Sequence, residues 1–539
     1  MKRWIFIMLL FSSVWGYAQQ DAWVYLTDKP DAATYLANPL TMLTQKSLDR
    51  RAAQNIALDV KDVPVFPSYL SQISNATGIT VMAKSKWLNA LHVRGSIENI
   101  QQLSSLTFVS SIEFADKTIT ATTTSSNTRS AAIQKVNKSL ETQINYPYGN
   151  SANQISMLGG DLLHQQNYTG TGKTIAVLDA GFPGVNTAPA FQRLINNNLI
   201  LGGYDFVNKS TNFYTGGAHG TLVLSTMGGY LADAIVGAAP DASYYLFITE
   251  DINNENPVEE SYWVEAAEEA DRLGVDIINT SLGYFHYDNP NYNYTYNDMN
   301  GVTSFVSRGA DVAFSRGMIC VTSAGNSGGT INPYISVPAD AVHTLAIGAV
   351  IPNGTYASFS SIGPSADQRV KPDVVAQGVQ AVVANPTGTI GTANGTSFSG
   401  PITAGMVACL WQALPTKTNA EMMQIIKQSA HIYNNPTPLI GYGIPNYNTA
   451  LLNNLSAFEA ITDFFLVYPN PVKDLLYIKN NKLDNNAQVE LISVLGNIVA
   501  QQQLTVGENS IAVSHLPSGM YFCRFSSGKN QYVKTFIKL

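Results

Sequence analysis

Three cysteines stand in 539 residues, Cys320, Cys409 and Cys523. An odd count excludes a fully paired disulfide framework, so stability must come mainly from packing or bound ions. Cys320 and Cys409 lie among apolar neighbours and read as buried free thiols. No basic stretch interleaved with aromatics is present, and the net charge is −7; nucleic acid is therefore excluded as a partner. Beyond residue 18 no apolar run is long enough to span a bilayer, so no transmembrane segment is expected in the mature chain. The apolar stretch Trp4 to Val14 is also too short. It follows Met1-Lys-Arg and precedes Gly16-Tyr17-Ala18, the layout of a secretory signal peptide over 1–18. The chain is too long for one ordinary core, so several domains are expected.

Four short glycine-bearing motifs carry chemistry. Ile175-Ala-Val-Leu-Asp179-Ala-Gly reads as a buried parallel strand that delivers a carboxylate at its C-terminal edge, where catalytic groups sit in open α/β sheets. His219 directly precedes apolar residues at helical spacing and should project from the first turn of a helix. Asn394-Gly-Thr-Ser397-Phe-Ser-Gly-Pro puts a hydroxyl at the start of a second helix, where free N–H groups favour developing negative charge. Asn326 closes the apolar run Val321-Thr-Ser-Ala-Gly and leads into a loop, from which its amide can donate. A serine hydroxyl becomes a nucleophile when a base takes its proton, and an acid fixes the tautomer of that base. Asp179, His219 and Ser397 supply those roles, with Asn326 and the Ser397 N–H as oxyanion donors. Taken singly, each residue has a bland reading: a turn aspartate, a surface histidine, a helix N-cap serine.

In this order the motifs resemble the subtilisin-like serine peptidases, the subtilases. The order acid, base, nucleophile is theirs and is distinct from other serine hydrolases. The resemblance covers roughly residues 150 to 455. It implies a doubly wound α/β fold with a mostly parallel sheet and hydrolysis of peptide bonds in proteins through an acyl-enzyme. No cofactor is required for that chemistry. Val275-Asp-Ile-Ile-Asn-Thr-Ser281-Leu282-Gly283 is similar to the strand that pairs with bound peptide, and Ser323-Ala324-Gly325 to a wall of the primary specificity pocket. That wall is small and uncharged, which implies large apolar side chains before the scissile bond. One departure stands out: Ala180 occupies the place of the family's usual hydroxyl residue after the acid, removing a hydrogen-bond donor from beside Asp179.

Composition divides the rest. Residues 19–120 alternate strand-like and helical stretches and suggest a small α+β unit; its position resembles the subtilase propeptide, a partner that assists folding and blocks the cleft. A polar link, 121–149, should hold the maturation site. After the peptidase region, 150–455, and a linker, 456–464, residues 465–539 read as a β-sandwich with turns at Gly496-Asn497 and Ser518-Gly519. Its Tyr468-Pro-Asn-Pro-Val-Lys-Asp and Leu516-Pro-Ser-Gly-Met-Tyr521 blocks resemble the sorting domain of Bacteroidota type IX secretion cargo. That implies export to the outside of the cell and the type IX machinery as partner. Tyr284 to Asn300 is rich in tyrosine and asparagine and is expected as a loop on the cleft rim, its tyrosines facing substrate. Asp288, Asn289 and Asp298 in it could hold a structural calcium, as subtilases often do elsewhere, although no EF-hand spacing is present. Two other functions compete: a scaffold that binds or adheres without cleaving, and a processing protease with a single site.

Overall fold

The computed structural model describes residues 19–119, 145–462, 465–480, 487–493, 497–527 and 530–539. The expected signal peptide and most of the expected maturation link lie outside the described residues. The chain divides into two compact units, one ending at Ala450 and one beginning at Leu451.

In the first unit, residues 20–114 form an antiparallel sheet of β1 (Gln20–Leu26), β2 (Thr80–Ser85), β3 (Ala90–Gly95) and β4 (Val109–Phe114), ordered β2-β3-β1-β4. Its core holds Val24, Ile73, Leu91, Val93 and Ile100, with the helices Pro67–Ser74 and Ile97–Gln102 covering one face. The other face packs on the helices Val258–Leu273 and Phe305–Ser315 of the larger domain, where Trp23 stacks on Phe305 and donates to Ser261 Oγ at 2.8 Å.

The larger domain is built on β5 (Thr174–Asp179), β6 (Ile200–Asp205), a short pair β7 (Tyr230–Leu231) and β8 (Ile235–Val236), β9 (Ser243–Ile248), β10 (Ile277–Thr280), β11 (Ile319–Ser323), β12 (Leu345–Val350) and β13 (Val374–Gln377). Seven of these make one sheet ordered β13-β12-β11-β10-β5-β9-β6, every neighbouring pair parallel. The expected doubly wound α/β sheet is thus present. β5 and β10 are covered on both faces, which is why both read as unbroken apolar runs. Strand order reverses at β5, so the C-terminal ends of β5, β10 and β11 open on one crevice, the usual place for a site.

The expected linker 456–464 differs. The helix Tyr447–Thr462 runs through most of it, because Leu451, Leu455, Phe458 and Ile461 recur at helical spacing with no breaker between them. The second unit then forms a three-stranded and a four-stranded antiparallel sheet around Phe465, Leu476, Val489, Leu491, Cys523, Phe525 and Phe536. All three cysteines are free and buried. Among the described residues no helix is long and apolar enough to cross a membrane.

Candidate active site

Asp179 ends β5 with its side chain fully buried. Its Oδ1 accepts from Ala180 N and from His219 Nδ1, both at 2.8 Å. His219 opens the helix His219–Gly228, and this approach needs Gly220: a Cβ there would lie 2.5 Å from Gly181 O and 3.0 Å from Asp179 Cβ. The hydrogen bond to Asp179 leaves Nε2 as the free nitrogen of the ring. The Asp179 charge is the largest influence on the imidazole and raises its pKa; burial opposes this, and the Glu250 carboxylate adds to the rise. The second oxygen of Asp179, Oδ2, is buried with no hydrogen-bond partner among the described residues. Ala180, next in the chain, has no side-chain donor to offer it.

Ser397 is the second residue of the helix Thr396–Ala413. Its Oγ donates to Ser281 O at 3.2 Å, and Ser281 Oγ returns a bond to Ser397 O at 3.0 Å. The hydroxyl proton is therefore directed to the Ser281 carbonyl at rest and must turn away from it to reach a base. Productive bonds of this kind commonly form only with substrate in place. The adjoining Phe398 ring lies 6.1 Å from the His219 ring.

Asn326 follows β11, and its Oδ1 accepts from both Thr396 N and Thr396 Oγ1 at 2.9 Å. The amide is thereby oriented, with Nδ2 on the opposite side. Gly395 adopts φ +148, and the point where a Cβ would stand is 3.6 Å from Asn326 Nδ2 and 3.7 Å from Ser397 N. A side chain at 395 would therefore stand against both donors, and glycine leaves that position free of one.

The expected substrate residues come together beside it. Ser281, Ser323 and Ala324 are buried, and Ser323 Oγ donates to Thr396 O at 2.8 Å, joining the 323–325 segment to the helix bearing Ser397. Leu282 and Gly283 continue from β10 along the cleft. A residue outside these motifs closes the gap between the walls: a Cβ on Gly283 would collide with Ser336 Oγ, and one on Gly325 would press on Ser336 and Ser361. Ser336 follows a loop ten residues after Asn326 and carries no local signature, so only the fold reveals it.

The tyrosine loop does not present its rings to the cleft. Tyr284, Tyr287, Tyr292 and Tyr294 are buried in the core beside the Val258–Leu273 helix, with Tyr287 and Tyr294 both donating to Glu260 Oε1. Amphipathic rings next to an apolar helix gain more from burial than from exposure, provided each hydroxyl finds an acceptor. Asp288 accepts from Glu255 N, Asn289 caps Asn291, and Asp298 accepts from Thr295 and Lys117. These oxygens are used by the loop and the residues that hold it, and no metal-holding group of three or more His, Cys, Asp or Glu occurs among the described residues.

Comparison with known proteins matches residues 170–452 to the Subtilase family, residues 21–132 to the Peptidase S8 propeptide domain of Bacteroidota, and residues 466–539 to a Secretion system C-terminal sorting domain. Subtilisin NAT of Bacillus subtilis subsp. natto is 31% identical over 307 residues, 56% of this chain and 71% of its own. Subtilisin of Bacillus pumilus is 30% identical over 307 residues, covering 98% of its length and 56% of this chain. A solved structure of the MycP3 protease from the type VII (ESX-3) secretion system aligns over 58% of this chain and 91% of its own, at 20% identity and a TM-score of 0.46.

Proposed function

Since the chain belongs to the subtilase family, we propose that this serine endopeptidase works through Ser397, His219 and Asp179 and an acyl-enzyme intermediate. His219 Nε2 takes the Ser397 proton as Oγ attacks the scissile carbonyl, and Asp179 holds Nδ1–H and stabilises the imidazolium. The oxyanion forms in the pocket before Asn326 Nδ2 and Ser397 N, where the N-terminus of the Thr396–Ala413 helix adds its dipole. His219 then donates its proton to the leaving amine, and water repeats the sequence in reverse to free Ser397. The observation that carries this reading is the convergence of an aspartate-bound histidine, a serine whose hydroxyl is held only by a 3.2 Å bond to a backbone carbonyl, and the Asn326 and Ser397 N–H donors at one sheet edge.

Extended peptide adds alongside Ser281–Gly283, which suits exposed, flexible protein segments. The P1 side chain, immediately before the scissile bond, enters between Ser281–Gly283 and Ser323–Gly325, over Ser336; the uncharged walls favour a large apolar group. The propeptide domain packs on the peptidase and acts as its folding partner and inhibitor until the link after residue 119 is cut. The sorting domain directs export across the outer membrane to the surface or the medium. A burst of leaving group stoichiometric with enzyme, on an amide or ester substrate, tests the acyl-enzyme. Its absence in processed protein would favour a scaffold that binds without cleaving, and a burst confined to one natural sequence would favour the single-site processing enzyme.

A further inference from the structure

A cavity of about 480 Å³ opens beside His219 and is lined by Ala180, Glu250, Asp251, Glu255, Glu259, Leu282, Gly283 and Asp288, among others. It touches the proposed base on one side and the peptide-binding segment on the other. Five acidic residues line it, and no lysine or arginine does. Three of the five carboxyl groups serve the surrounding loops, and Glu255 is tied in through its backbone. Glu259 accepts from Asp251 N and Asn256 N, Asp251 from Asn253 and Asn254, and Asp288 from Glu255 N, whose own residue is thereby tied to the 284–288 turn.

Glu250 is different. Its Oε1 accepts from Tyr284 OH at 2.8 Å and Thr249 Oγ1 at 2.9 Å, which fixes the carboxyl in place directly after the peptide-binding segment. Its Oε2 takes no hydrogen bond from the described residues and is not among the buried orphan atoms, so it keeps an accessible, unpaired oxygen on a residue that lines the cavity. We propose that Glu250 is a specificity-determining residue, and that the cavity it lines receives a cationic group from the substrate residue next to P1 on its amino-terminal side, P2.

The direction follows from strand geometry. Successive side chains of an extended peptide point to opposite faces, so with P1 between Ser281–Gly283 and Ser323–Gly325, P2 is turned toward the side where His219 and Glu250 stand. An ammonium or guanidinium there meets a fixed carboxylate oxygen in a site partly closed to water, where a charge-assisted hydrogen bond is strong. Burial pushes the Glu250 carboxyl up to about 8, and burial with the Glu250 charge pushes Glu259 up to about 10. The group of acids is short of positive charge in a way that a bound cation would relieve.

The cation has two sources: a lysine or arginine side chain at P2, or the α-ammonium of a peptide that begins at P2. This inference rests on the peptidase reading above, and the test separates the two. Enzyme produced from the full chain is given acetylated fluorogenic peptides that differ only at P2, with Lys, Arg, Leu or Glu, and a second series in which P2 is the first residue with its amine free. The expected result is a kcat/KM for P2 Lys or Arg about ten- to a hundredfold above P2 Leu, with Glu lowest, the range of one hydrogen bond to a charged group. In Glu250→Gln that ratio falls to within about threefold. Each ratio is internal to one preparation, so a partly unfolded variant does not imitate the loss. A preference for a free amine whatever the P2 side chain assigns the cavity to the peptide terminus and still supports it. Cleavage of all peptides without P2 preference, or a preference unchanged in Glu250→Gln, overturns the inference and leaves the peptidase reading standing. A preference that vanishes with chelator also overturns it, because the cavity would then hold a metal. No cleavage of any peptide contradicts the peptidase reading itself.

Discussion

Asp271→Asn should loosen the propeptide domain by orders of magnitude while leaving the catalytic groups untouched. Asp271 lies on the Val258–Leu273 helix and is fully buried between two propeptide guanidiniums, Arg50 Nη2 at 2.5 Å and Arg51 Nη2 at 2.6 Å, whose side chains are 5% and 2% exposed. Burial alone would raise the Asp271 carboxyl, but the Arg50 and Arg51 charges hold it below the ordinary aspartate range. Arg51 has a second partner in Asp62 at 2.7 Å, whereas among the described residues Arg50 has no second ion pair and otherwise bonds the Val275 carbonyl and Ser47 Oγ. The amide keeps the volume and removes the charge, so Arg50 is left buried and uncompensated, a loss of about 3–5 kcal/mol. The pair spans two domains, so most of the loss falls on their association, roughly two to three and a half powers of ten in Kd. The assay is calorimetric titration of residues 19–119 into peptidase carrying Ser397→Ala, which prevents digestion of the titrant. The double variant Arg50→Leu/Asp271→Leu should bind more tightly than Asp271→Asn, since apolar groups filling the same space leave no unpaired charge. A weakening by Asp271→Asn of less than about fivefold would refute the reasoning.

Three further outcomes follow from the site. Gly395→Ala should place a methyl before Asn326 Nδ2 and Ser397 N on strained backbone, lowering kcat by about a hundredfold or more, a magnitude taken from loss of one oxyanion donor in a subtilisin; unchanged kcat would move the oxyanion elsewhere. Because the Asp179 charge raises His219 above its ordinary 6.5, and the base acts when neutral, kcat/KM should rise with pH through a midpoint above 6.5; a pH–rate profile with its midpoint at or below 6.5 would contradict this. Ala180→Ser offers a donor to the orphaned Asp179 Oδ2 and should stabilise the Ser397→Ala protein by about 1 kcal/mol, near 2 °C in calorimetric Tm; a lower Tm would contradict that assignment.

Much of the fold and the proposed site was legible because the chemistry is written locally. A fully buried strand must be apolar throughout, so Ile175–Leu178 announced β5, and a helix that begins on a functional residue left His219 and Ser397 ahead of apolar runs. What escaped depends on distant partners. Ser336 matters through its place between Gly283 and Gly325, and nothing near it in sequence marks it. The tyrosines of 284–294 looked like a rim because their polar neighbours dominate the local composition, yet Glu260, far from the loop in sequence, supplies the acceptor that lets two of them bury. Likewise Arg50, Arg51 and Asp271 pair over more than 200 positions, and the carboxyls around Glu250 gather only when two loops meet. Ala180 was visible as a missing hydroxyl, but that no other donor among the described residues reaches Asp179 Oδ2 depends on the fold.

The most direct measurement is labelling of processed, correctly folded protein by an active-site serine phosphonate, with Ser397→Ala as control. The account predicts stoichiometric labelling of the wild type at Ser397 and none of the variant. Absence of labelling in folded protein freed of its propeptide, or equal labelling of both proteins, would contradict it.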